Sequence, residues 1–298
     1  MPGSGKSTIG RRLAKALGVP LLDTDVKIVE TTGRSIAELM RANEEANLPP
    51  AEVSARLAAI AGRDLIVLPE MFTTGFAMDA GESALPEQQV IDWLRSWAVK
   101  SHALIGGSVA LKTPEGAVNR FLLVEPGGQV HAYDKRHLFR MAGEHLHYQA
   151  GNRREIFEWR GWRILPQICY DLRFPVWARY QQDYDLALYV ANWPAPRSHH
   201  WQTLLTARAI ENQVYVAGCN RVGEDPNGLS YSGDSLIISP QGEILADAEP
   251  GAATRLDAEL SLETLQSYRS AFPAWRDAGA RKRATVLVEA LDALITWR

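Results

Sequence analysis

An α/β fold is predicted for this chain of 298 residues, on three observations. From about residue 64 onward, short apolar runs rich in β-branched residues alternate with stretches of helical periodicity. Turn signals built from Gly and Pro separate those runs. The hydrophobic fraction, 46%, is enough to fill one large core or two small ones.

The first strand is predicted at 64–68, where Leu65-Ile66-Val67-Leu68 forms an unbroken apolar run of the kind a strand buried on both faces needs. A helix follows over 86–101, then strands over 103–111 and 120–124. Past the turn Pro126-Gly127-Gly128, residues 129–133 are strand-like. Strands at 162–168 and 186–190 bracket a helix expected over 175–182. In the helix expected at 197–213, Leu204, Leu205, Ala209 and Ile210 recur at helical spacing, so one stripe of it packs on a sheet. A strand at 214–220 comes next, and Pro240-Gln241-Gly242 joins hairpin strands at 236–238 and 243–245. Residues 281–298 read as one amphipathic helix.

Composition excludes several classes of function. The net charge of -3, with no long run of Lys and Arg, provides no field for a nucleic acid. The longest apolar runs, such as 186–191, fall far short of the roughly 20 residues of a membrane helix, so no membrane association is expected. Gly3, Gly5, Lys6, Arg11 and Arg12 stand where an export signal would need an apolar core. Two cysteines are too few for a disulfide framework and suit a reducing, cytoplasmic setting.

Three reactive side chains fall at segment ends. Glu70 follows the apolar run 65–68 and Pro69, Lys135 lies in the polar turn after 129–133, and Cys169 ends the run 162–168. Ends of strands are where α/β folds gather their active-site groups. Together the three supply what amide cleavage needs. A thiol attacks, an ammonium depresses the thiol pKa and holds the oxyanion, and a carboxylate takes and returns the proton. The backbone N–H of Tyr170 is a second candidate oxyanion donor. Singly each residue has a plainer reading, as a small core hydrophobe, a helix or strand cap, or a surface charge. Cys219, inside Val216-Ala217-Gly218-Cys219, is read as a core thiol, and Lys112 as a surface charge.

The segments LPEMFTTGFAM (68–78), YDKRHLFRMAGEHLHY (133–148) and QICYDLRFPVWAR (167–179) resemble the nitrilase superfamily. With NRFLLVEPGG (119–128), LALYVANWPAPRSHHW (186–201), LLTARAIENQVYVAGCNRVG (204–223) and SPQGEIL (239–245), the resemblance is to its omega-amidase, or 2-oxoglutaramate amidase, branch and spans about 46–275. It implies a four-layer α-β-β-α sandwich, a homodimer, and no metal or organic cofactor. It implies Glu70 as general base, Lys135 as oxyanion stabiliser, Cys169 as nucleophile and Glu144 as a second glutamate that positions the lysine. The implied substrates are small monoamides of short dicarboxylates, such as 2-oxoglutaramate and 2-oxosuccinamate. Their distal carboxylate calls for a cation, with Arg173 and Arg140 as candidates unless they pair with Asp171 or Glu144. Phe72, Phe139 and Trp193 are candidate pocket walls.

The first forty residues read differently. Pro2-Gly3-Ser4-Gly5-Lys6-Ser7-Thr8 resembles a phosphate-binding loop, and with Asp23-Thr24-Asp25 the segment resembles the opening of a shikimate kinase, without the first glycine and the preceding strand. The chain therefore divides into a kinase-like leader (1–42), a nitrilase-like hydrolase domain (43–280) and a C-terminal helix (281–298). The leader occupies the place of the first strand expected from the nitrilase pattern, for which Val19-Pro20-Leu21-Leu22 is the substitute. Two alternatives to an amidase follow: an ATP-dependent kinase acting on shikimate, and a nitrilase-like binding protein with an impaired site.

Overall fold

The computed structural model describes residues 51–58, 60, 62–78 and 85–277. The leader, the stretch Val19-Pro20-Leu21-Leu22 and the helix expected at 281–298 lie outside the described residues.

A short helix α1 (Ala51–Ala58) leads to β1 (Leu65–Val67). Helix α2 (Glu87–Ser101) then connects to β2 (Leu104–Thr113), β3 (Gly116–Val124) and β4 (Val130–Asp134). These strands form the first sheet in the order β1-β2-β3-β4. Strand β1 is parallel to β2, and the others are antiparallel. After the one-turn helix α3 (Glu144–His147), β5 (Tyr148–Gln149) pairs with the start of β3.

The second sheet runs β13-β12-β9-β8-β7-β6. Its members are β6 (Phe157–Trp159), β7 (Trp162–Ile168), β8 (Leu186–Ala191), β9 (Tyr215–Asn220), β12 (Leu236–Ile238) and β13 (Ile244–Asp247). Strands β7, β8 and β9 are parallel at its centre, and every residue of β8 is buried. That two-sided burial is why 186–191 is apolar without alternation. Strands β10 (Val222–Glu224) and β11 (Ser230–Ser232) form a separate small ribbon.

The layers follow from which way successive side chains point. In β3, Phe121 and Leu123 face the second sheet and share a core with Ile164, Leu188 and Val216, while Leu122 and Val124 turn outward onto Val90, Leu94 and Ala98 of α2. Helix α4 (Ser198–Asn212) covers the outer face of the second sheet through Trp201, Leu205 and Ala209. The result is the α-β-β-α sandwich. Among the described residues no helix is long and apolar enough to cross a membrane.

Three expectations need correction. Residues 175–182 are an irregular turn, not a helix, because side chains from elsewhere take their backbone groups. Arg154 donates to the carbonyls of Trp177 (3.0 Å) and Arg179 (3.2 Å), and Asn212 Oδ1 accepts the N–H of Tyr180 (2.9 Å). The packed stripe of α4 is rotated from the predicted one: Arg208 and Asn212 are buried with Leu205 and Ala209, while Ile210 is half exposed. Helix α5 (Leu262–Ala271) was not anticipated, although Ser261 marks its start by accepting the Thr264 N–H at 3.2 Å.

Candidate active site

The three predicted side chains leave three strand ends and converge at the seam between the sheets. Glu70 follows β1, and the chain turns sharply there: Met71 has φ +46° and its N–H donates to Ser108 Oγ at 3.0 Å. Lys135 follows β4, its N–H held by the Asn119 carbonyl at 2.9 Å. Cys169 follows β7 with φ +45°, a left-handed conformation that costs a non-glycine residue about 1–3 kcal/mol and persists where surrounding bonds impose it. Those bonds come from Asp171. Its fully buried carboxylate accepts the Ile168 N–H (3.0 Å), the Tyr133 hydroxyl (2.8 Å), and both the backbone N–H (2.9 Å) and Nδ1–H (2.8 Å) of His137. The elbow that carries Cys169 is thereby tied to the segment that carries Lys135.

At the centre lies a buried charge cluster. Lys135 Nζ donates to Glu70 Oε1 and to both oxygens of Glu144, each at 2.9 Å. Asn119 Nδ2 bridges the two carboxylates, at 2.8 Å from Glu70 Oε1 and 3.3 Å from Glu144 Oε1. The other Glu70 oxygen accepts the Asn192 backbone N–H at 2.7 Å, and Asn192 Nδ2 donates to the Glu70 carbonyl at 2.9 Å. Glu144 is held in turn by the Phe139 N–H at 2.6 Å. Two carboxylates face one ammonium, so the cluster carries a net negative charge.

That imbalance sets the protonation states. Burial pushes the Glu70 carboxyl upward, but the Lys135 charge and the hydrogen bonds from Lys135, Asn192 and Asn119 outweigh it and hold the group below its ordinary value. For Lys135 burial works against the charge, and Glu144, Glu70 and Cys169 together raise it well above the lysine range. Cys169 departs from expectation. Burial and the Glu70 charge push its thiol well up, against the downward pull of Lys135. A lysine already shared by two carboxylates has little field left for the sulfur. The resting nucleophile is therefore a neutral thiol beside a carboxylate, arranged to lose its proton as it attacks.

The remaining predicted residues divide. Tyr170 is the second residue of the 3-10 turn Cys169–Arg173, whose opening N–H groups lack partners within the turn. Its ring meets Phe139 edge-on at 5.0 Å. Trp193 follows Asn192, and Arg173 lies over its ring at 5.0 Å. Neither Arg173 nor Arg140 bonds Asp171 or Glu144, whose partners are those named above; Arg173 donates to His200 Nδ1 at 2.9 Å, and Arg140 is exposed. Phe72 is corrected: its ring packs on Trp93 at 5.8 Å in the outer core under α2, on the side of the sheet away from the seam. Phe76, from the same segment, instead stands 5.6 Å from Lys135 Nζ.

Cys219 is half-buried against the inner core, and burial alone pushes its thiol up to about 12. Lys112 is exposed. Asn119, Asn192 and Asp171 were missed. A polar residue closing an all-apolar strand, as Asn192 closes β8, was a usable signal. Among the described residues no group of three or more His, Cys, Asp or Glu side chains is placed to hold a metal ion.

A family model described as carbon-nitrogen hydrolase matches residues 34–270. The match begins inside the stretch assigned to the kinase-like leader, and these comparisons lend the shikimate kinase resemblance no support. The omega-amidase YafV of Yersinia enterocolitica is 73% identical over 221 residues, which cover 74% of this chain and 86% of the relative. The 2-oxoglutaramate amidase of Bacillus subtilis is 36% identical over 222 residues, covering 72% and 84%. Among solved structures, XC1258 from Xanthomonas campestris, a CN-hydrolase superfamily protein with an arsenic adduct in its active site, matches with a TM-score of 0.75 at 43% identity. That match covers 78% of this chain and 93% of XC1258.

Proposed function

The chain belongs to the carbon-nitrogen hydrolase family, and from that premise we propose that it is an omega-amidase releasing ammonia from monoamides of short dicarboxylates such as 2-oxoglutaramate. The observation that carries this reading is the sealed Glu70–Lys135–Glu144 cluster against the Cys169 thiol.

Cys169 Sγ attacks the amide carbon while Glu70 takes the thiol proton. The oxyanion forms against Lys135 Nζ and the Tyr170 N–H, with Lys135 turning part of its donation from the two carboxylates to the new charge. The tetrahedral intermediate collapses by breaking the C–N bond, and the nitrogen leaves as ammonia with the proton returned by Glu70. Water then gives a proton to Glu70 and attacks the thioester, and the C–S bond breaks to release the acid and restore the thiol. Glu144 acts through Lys135: its two oxygens keep the ammonium charged and aimed. Arg173, beside the pocket wall Trp193, receives the distal carboxylate.

The working form is a cytoplasmic homodimer. The exposed apolar side chains Met141, Leu146 and Val176 and the two unpaired cysteines support that part of the reading.

Ammonia release from 2-oxoglutaramate by the wild type and by Cys169→Ala tests the function. The variant is expected to lose at least about a thousandfold in kcat. Unchanged turnover would overturn the assignment.

A further inference from the structure

We propose that Arg197, together with Arg173, forms a two-guanidinium rim that selects amides whose far end is an anion, with Arg197 as the specificity-determining residue. The inference rests on the amidase reading and adds Arg197 as a second cation for the substrate's remote carboxylate.

Two contact routes lead from the reacting groups to these arginines. On one, Tyr170, next to the nucleophile, meets the Phe139 ring at 5.0 Å, and the Arg197 guanidinium lies over that ring at 5.6 Å. On the other, Trp193, next to the Asn192 that holds Glu70, carries the Arg173 guanidinium over its ring at 5.0 Å. The routes close on each other, because Trp193 Nε1 donates to the Arg197 carbonyl at 2.8 Å. Both cations are thus placed at the rim by stacking on rings, a contact that leaves the edge N–H donors of a guanidinium available.

The pairing pattern sets these two apart from the arginines that brace the fold. Arg120, Arg154, Arg163 and Arg269 each bond a carboxylate, and Arg208 bonds Glu211. Among the described residues neither Arg173 nor Arg197 makes an ion pair. Among the described residues the Arg173 side chain donates to His200 Nδ1 at 2.9 Å and to no carboxylate. Two cations with no carboxylate between them attract a terminal carboxylate and repel a terminal ammonium. An amide bearing a 2-oxo acid is accepted, and the amino acid of the same length, with an ammonium on the same carbon, is disfavoured.

The test is steady-state kinetics of wild type, Arg197→Ala, Arg197→Lys and Arg197→Glu on 2-oxoglutaramate, uncharged pentanamide and glutamine. The ratio of kcat/KM for 2-oxoglutaramate to that for pentanamide is expected to fall about 30-fold or more in Arg197→Ala, chiefly through KM, with part recovered in Arg197→Lys. In Arg197→Glu the preference for 2-oxoglutaramate over glutamine is expected to narrow further. A ratio within about twofold of wild type in all three variants would overturn the role of Arg197 while leaving the amidase intact. A wild type that releases ammonia from none of the three amides would remove the amidase reading and this inference with it.

Discussion

The Glu70 carboxylate and the Lys135 ammonium meet at 2.9 Å with neither side chain reaching solvent. A pair so placed cannot lose one member without stranding the other, and here Glu144 shares the same ammonium at 2.9 Å. Lys135→Met leaves two buried carboxylates facing each other. It is expected to lower unfolding stability by about 3–5 kcal/mol in urea titration, besides abolishing ammonia release. Unaltered stability would mean that the cluster is hydrated.

The pH dependence of stability follows from the direction of each shift. Glu70 is lowered, so its contribution is complete above the ordinary carboxylate range and is lost as pH falls through its folded value. Lys135 is raised, so its contribution is complete below the ordinary lysine range and is lost only as pH rises through its folded value. Cys169 is an acid held protonated by the fold, so above the ordinary thiol range the unfolded chain releases a proton that the folded chain keeps. Between about pH 7 and about pH 10 the wild type should therefore lose more stability than Cys169→Ala, measured by urea titration at both values. Equal losses would show that the folded thiol ionises normally.

Asp171 makes a separate expectation, since it binds both the Cys169 elbow and the Lys135 segment. Asp171→Ala leaves the N–H groups of Ile168 and His137 and the buried Tyr133 hydroxyl without their acceptor. A loss of about 3 kcal/mol in stability is expected, with a fall in kcat larger than any change in KM. Asp171→Asn, which keeps part of the bonding, should recover part of both. A variant of normal stability and kcat would reduce Asp171 to a bystander.

Much of the molecule was legible because it is local. Phe121-Leu122-Leu123-Val124 states two opposed faces through strand alternation, and the run 186–191 states burial on both sides. Residues 175–182 misled for the opposite reason: their backbone partners, Arg154 and Asn212, stand far away in sequence. Phe72 likewise follows Glu70 by two positions, but the chain turns at Met71 and delivers the ring to the outer core.

The sequence by itself determined the α/β class, the three strand ends bearing Glu70, Lys135 and Cys169, and the resemblance that made Glu144 their companion. Tertiary structure alone decided that Lys135 is shared by two carboxylates, that Cys169 consequently rests as a thiol, and that Arg197 lies over the Phe139 ring without a carboxylate partner among the described residues. The division has one physical cause. Apolar periodicity is written along the chain, whereas desolvation and the field at a buried atom depend on distances between strands that meet only when the two sheets close on each other.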